Sequence, residues 1–188
     1  GLYRVFGLDM NGKTIEMAYN PAQNGHRATW EGNWWPDGKK SSSEAYVQAY
    51  YFSLDAVTGE LYSVIHDRVL GGNANTGFDA ALNQNAGEYE ALAKEKAVQL
   101  GAIKGAVKTA KYEGQGFTNN APDISFSLTG ENGDRAQLRF SRHDKELLAV
   151  TFNAGMKDMD VAEQGAEDFA KRAEEYLRQH PDAQTYEE

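Results

Sequence analysis

Three stretches in the second half of the chain alternate apolar and polar residues with a period of two. Ile124, Phe126 and Leu128 alternate with Ser125 and Ser127; Ala136, Leu138 and Phe140 alternate with Gln137 and Arg139. Leu148, Val150 and Phe152 alternate with Leu147, Ala149 and Thr151. A two-residue period puts each apolar set on one face of a strand, so the pattern predicts a three-stranded antiparallel meander with one face for a helix to cover. Asn132-Gly133 supplies the first turn and His143-Asp144-Lys145 the second.

The covering helix is predicted just upstream. Asn85 precedes Glu88 in a capping-box arrangement, and Tyr89, Leu92, Ala93, Ala97 and Leu100 follow at spacings of three and four. This helix ends near Gly101 or Gly105. A last helix is capped by Asp160 and Glu163 and stopped by Pro181, with an expected buried stripe of Ala162, Ala166, Phe169, Ala173, Tyr176 and Leu177.

The first half reads as hairpins. Leu2 to Asp9 and Thr14 to Tyr19 flank Asn11-Gly12, and residues 45–55 and 60–69 flank Thr58-Gly59. Between them lies a polar, glycine-rich segment carrying Trp30, Trp34 and Trp35, where Ala28 to Trp34 can form a strand and Pro36-Asp37-Gly38 a turn. Gly71 to Ala86 reads as a connecting loop. The expected organisation is an N-terminal hairpin unit over residues 1–75, a helix–meander–helix unit over 76–180 and a polar tail over 181–188. The fold class is α+β, with antiparallel meanders each packed by an amphipathic helix.

Two hairpins resemble each other. Phe52 to Val64 contains Asp55, Gly59, Glu60 and Leu61; Phe140 to Val150 contains Asp144, Glu146 and Leu147. Aligned from Phe52 and Phe140 to Val64 and Val150, the second turn is two residues shorter.

Composition removes several functions. The 188 residues carry 28 acids against 19 bases, a net charge of −9, with no extended basic patch, so a nucleic-acid backbone would be repelled. No apolar run reaches the ~20 residues of a membrane span. Cysteine is absent, which excludes disulfides, thiol catalysis and cysteine metal sites. His26, His66, His143 and His180 lack metal-ligand spacing, no Gly-x-Ser-x-Gly motif occurs, and the glycine pairs lack a phosphate-binding context. No cofactor or metal is expected. Asp9-x-Asn11-Gly12 superficially matches the start of a calcium loop but lacks the terminal Glu, and turn chemistry explains it better.

Asp55-Ala-Val-Thr58-Gly59-Glu60-Leu61 resembles the signature turn of PepSY-type domains of exported bacterial proteins, which reads strand, Asp-x-x-Thr-Gly-Glu, strand. The order helix then meander over Glu88 to Phe152 is similar to the same family, although its turn lacks the Thr-Gly. The resemblance spans residues 45–155 and implies a tandem, non-catalytic module of secreted or lipid-anchored proteins. Such modules accompany or restrain peptidases and cell-wall hydrolases.

The aromatic cluster Trp30, Trp34, Trp35, Tyr46, Tyr50, Tyr51 and Phe52 is the main candidate for recognition. Tyr46, Tyr50 and Phe52 share one strand face and Tyr51 the other. Trp30, Trp34, Trp35 and Tyr51 are the expected binding residues, for a protein partner or a cell-wall glycan stacked on the rings. The competing reading places these rings in the core. A small hydrolase using carboxylates is the remaining alternative, its acids not identifiable from spacing.

Overall fold

The computed structural model describes residues 1–38, 48–70, 77–116 and 121–180. In chain order the elements are α1 (Leu2–Phe6), β1 (Glu16–Asn20), β2 (Thr29–Trp34), β3 (Gln48–Asp55), β4 (Leu61–Arg68), α2 (Ala80–Gln84), α3 (Gly87–Gln99), β5 (Val107–Gly116), β6 (Asp123–Gly130), β7 (Arg135–Ser141), β8 (Leu147–Thr151) and α4 (Asn153–Gln179). The eight strands form one antiparallel sheet in the order β1-β2-β3-β4-β8-β7-β6-β5. Two four-stranded meanders therefore meet along their last strands, and the α+β class is as expected.

The main core lies on one face of this sheet. Phe126, Leu138 and Val150 line up across β6, β7 and β8, and Val64 of β4 continues the row; all four are fully buried. Tyr89, Ala93 and Ala97 of α3 pack onto this surface, and the small side chains at 93 and 97 let the helix approach the sheet closely. Asn85 accepts a hydrogen bond from Gly87 N–H at the start of α3, and Gly101, with φ of 63°, ends it.

Leu2 to Phe6 is a helix, which corrects the expected first hairpin. Leu2, Val5 and Phe6 stand at helical spacing, Leu2 is buried in the core, and Gly7 closes the turn in the left-handed region. Arg4 ties α1 to α3 by donating through Nε and a terminal nitrogen to the Leu100 carbonyl at 2.9 and 2.5 Å, with its guanidinium over the Phe152 ring. Asn11-Gly12 does form a turn, but β1 pairs with β2.

The turns of the β3–β4 and β7–β8 hairpins make the same hydrogen bonds. Asp55 N–H donates to Glu60 O and Gly59 N–H to Asp55 O; Ser141 N–H donates to Glu146 O and Lys145 N–H to Ser141 O. The Asp55 carboxylate accepts from Val57 N–H, as the Ser141 hydroxyl does from His143 N–H. Gly59 and Lys145 both have positive φ, and both hairpins carry a bulge one strand residue before the turn. Ser141, not Asp144, therefore takes the place of Asp55. The two turns are equal in length, and the expected two-residue deletion disappears. The meanders join through Ser63–Thr151, Val64–Val150 and Ile65–Ala149.

Three further points differ from the sequence reading. Part of the expected loop at 71–86 is α2, capped by Asp79, whose carboxylate accepts from Ala81 and Leu82 N–H. The second meander has a fourth strand, β5, a bulged edge strand with only weak apolar alternation. Helix α4 begins at Asn153, ahead of Asp160, and its stripe is not buried: Phe169, Tyr176 and Leu177 are exposed, with only Gly155 and Asp158 buried along its length.

Candidate functional site

The sequence-predicted aromatics do not gather into one site. Trp34 packs against the core and stacks on Tyr50 with ring centres 5.4 Å apart, and Tyr50 stacks in turn on His66 at 4.2 Å. Trp35 follows the end of β2 and meets Tyr51 edge-on at 6.5 Å. Tyr51 faces away from Tyr50, toward a 270 Å³ cleft also lined by Ile65, Asp67, Arg139 and Leu148. Tyr46 lies outside the described residues.

Trp30 is different. It pairs with Tyr19 across β1 and β2, their rings 5.3 Å apart, and both are exposed, as is the neighbouring Met17. Period two places Met17, Tyr19, Trp30 and Gly32 on the core-side face of the sheet. Gly32 lacks a side chain because the Phe52 ring fills that space; a Cβ there would lie 2.1 Å from it.

Register gives this patch its counterpart. Thr29 lies opposite Asp55, and Asp123 lies opposite Ser141. Trp30, Gly32 and Trp34 thus correspond to Ile124, Phe126 and Leu128, which are at most 1% exposed in a meander packed by α3. Where the second meander has the 13-residue α3, the first has only the five-residue α1, which packs at β3 and β4 with Phe6 against Tyr50 and His66, and Trp30 on β2 is 39% exposed. Tyr19 and Met17 were missed in the sequence because β1 was read as half of a different hairpin.

A polar cleft of about 570 Å³ lies on the opposite face, between the segment after β1, strands β2 to β4 and the start of α4. Asp158 of α4 accepts from Arg27 N–H at 2.9 Å and bonds His26 Nδ1 at 2.8 Å, fixing this segment against the helix. Arg27 also pairs with the buried Asp55 at 3.2 Å. Hydrogen bonds from Thr58 and Val57 N–H and from Tyr62 hold the Asp55 carboxyl at about 2, despite its burial; the Tyr62 hydroxyl, buried beside it, is pushed up to about 12. In the smaller cleft, burial raises Asp123 above the ordinary carboxylate range, opposed by Arg139 at 3.9 Å. Arg27 thus reaches both carboxylates, its N–H bonding Asp158 and its guanidinium pairing with Asp55. Among the described residues no group of three or more His, Asp or Glu side chains is arranged to hold a metal. No described helix is long and apolar enough to cross a membrane. Comparison with protein families, curated proteins and solved structures finds no match for this chain.

Proposed function

We propose that the chain is a non-catalytic interaction module that engages a protein partner through the Met17–Tyr19–Trp30 surface of β1 and β2. The observation that carries this reading is the exposure of that patch, with Trp30 39% exposed where its counterpart on β6, Ile124, is fully buried. An aromatic pair on a rigid sheet is a favourable anchor, since little side-chain freedom remains to be lost on binding. β1 is also the edge of the sheet, so a partner strand or helix can reach the rings without displacing another strand.

Two features support a tandem PepSY-like origin in an exported protein that restrains a peptidase or cell-wall hydrolase. One is the Asp55-to-Glu60 turn, with its carboxylate capping two N–H groups; the other is the recurrence of its bonding pattern at Ser141 to Glu146. Affinity capture from a cell-envelope fraction tests the reading, comparing the chain with its Tyr19→Ala/Trp30→Ala variant. The expected result is a peptidase or hydrolase held by the unmodified chain and lost by the variant at unchanged melting temperature. Loss of such anchors typically costs 2 kcal/mol or more. Equal capture by both chains rejects the assignment. Retention of peptidoglycan in place of protein transfers the surface to glycan binding.

A further inference from the structure

The distal half of α4 carries an apolar seam that, among the described residues, no other element covers. Phe169 is 71% exposed, and Tyr176 and Leu177 are also exposed. These residues, with Arg172 and Ala173, form a groove lined by α4 alone. The hydrogen bonds and ion pairs of Arg172, Arg178, Gln179 and His180 stay within the helix. Contacts with the sheet are made to β4 and β7, and Gly155 and Asp158 mark the buried end.

The order of side chains along this seam defines what fits it. Ala162, Ala166, Phe169, Ala173, Tyr176 and His180 recur at alternating spacings of four and three, the seam of a heptad. One set of seam positions, 166 and 173, is alanine; the other, 169 and 176, is aromatic. In a parallel pair like faces like, so alanine layers would leave voids between crowded aromatic layers. In an antiparallel pair each position of one set meets the other set. Phe169 then meets Ala173 of the second helix and Tyr176 meets Ala166, one large side chain against one small at every layer.

Of the charged residues only Glu163 and Arg172 flank the seam, one on each side; Lys171 and Arg178 point away from it, so the orientation rests on the matching of large and small layers. The exposed stretch from Glu163 to Gln179 is ~25 Å long at 1.5 Å per residue, so the two sheets would sit at opposite ends without collision.

We propose that α4 is a homodimerisation helix, pairing antiparallel with α4 of a second copy about a two-fold axis near Lys171. This is independent of the Trp30 surface, which lies on a different strand pair and is tested separately.

Sedimentation of the chain over a range of concentrations should show a reversible dimer, half-formed at or below on the order of 100 μM. Phe169→Glu should weaken self-association by at least about 30-fold, the scale of one lost hot spot, without changing the melting curve, because its site is exposed in the single copy. Orientation is read by oxidation of single-cysteine variants in this otherwise cysteine-free chain. Ala170→Cys lies beside the proposed axis and should link to its own copy, whereas Ala166→Cys should not. A chain that stays monomeric near 1 mM, a dimer unaffected by Phe169→Glu, or preferential self-linking of Ala166→Cys would each overturn the proposal.

Discussion

Asp55 and His66 are both buried on the β3–β4 hairpin, and they respond to acid in different windows. Burial, reinforced by the Arg68 guanidinium, lowers the His66 ring from its ordinary 6.5 to about 4. The folded state therefore holds the neutral ring, stacked on Tyr50 and bonded to Gln48 at 3.2 Å, while the unfolded chain takes up a proton. Its stabilisation is complete above pH 6.5 and is lost as pH falls toward 4. With solvent screening, we expect about 1–2 kcal/mol less stability at pH 4.5 than at pH 7 from this ring. His66→Phe keeps an aromatic ring against Tyr50 and removes the titration, so urea melts should lose most of that slope; an unchanged slope would place the titration elsewhere. The Asp55 carboxyl, held at about 2, contributes above the ordinary 3.8 and is lost only below it. Its role was legible in the sequence as turn chemistry. That Ser141 takes the same place was not, because a hydroxyl and a carboxylate accept the same N–H bond while looking unrelated as letters.

At the scale of elements, the meander β6–β7–β8 and α3 were readable because their burial is one-sided and periodic. Phe126 sits at the centre of that pattern, fully buried, with Tyr112 edge-on to it at 5.9 Å. Phe126→Ala should destabilise by roughly 3–5 kcal/mol, measured by chemical denaturation. Phe169→Ala on α4 should shift stability in the isolated copy by less than about 0.5 kcal/mol, since that ring is exposed. A comparable loss at both positions would mean that α4 packs elsewhere in solution. Periodicity predicted an apolar face on α4 but could not say whether that face was filled from within the chain. β5 escaped for the opposite reason: as an edge strand with two bulges, it has little apolar alternation to read. α1 was mistaken for a strand because five residues give barely one helical repeat, and Asn11-Gly12 nearby argued for a hairpin.

At the scale of the whole molecule, the two meanders share one sheet through three residue pairs between β4 and β8. Few backbone bonds cross this seam, but Val64 and Val150 face each other at its centre with no exposed surface, and the core runs from Leu2 through both to Phe126. Separating the halves would expose that row to water, at about 1.5–3 kcal/mol for each large side chain. The chain should therefore unfold as one cooperative unit, although its sequence divides naturally near residue 75. All three tryptophans lie in the first meander or directly beside it, so their fluorescence reports on that half alone, while far-UV dichroism is dominated by α3 and α4 beyond it. The two signals should give the same urea midpoint and the same slope. Val64→Ala should lower both midpoints together, by an amount corresponding to roughly 2–4 kcal/mol, because the seam belongs to both halves. Midpoints that separate in the unmodified chain would show two independently stable units. Midpoints that separate only in Val64→Ala would show that the valine pair is what couples them.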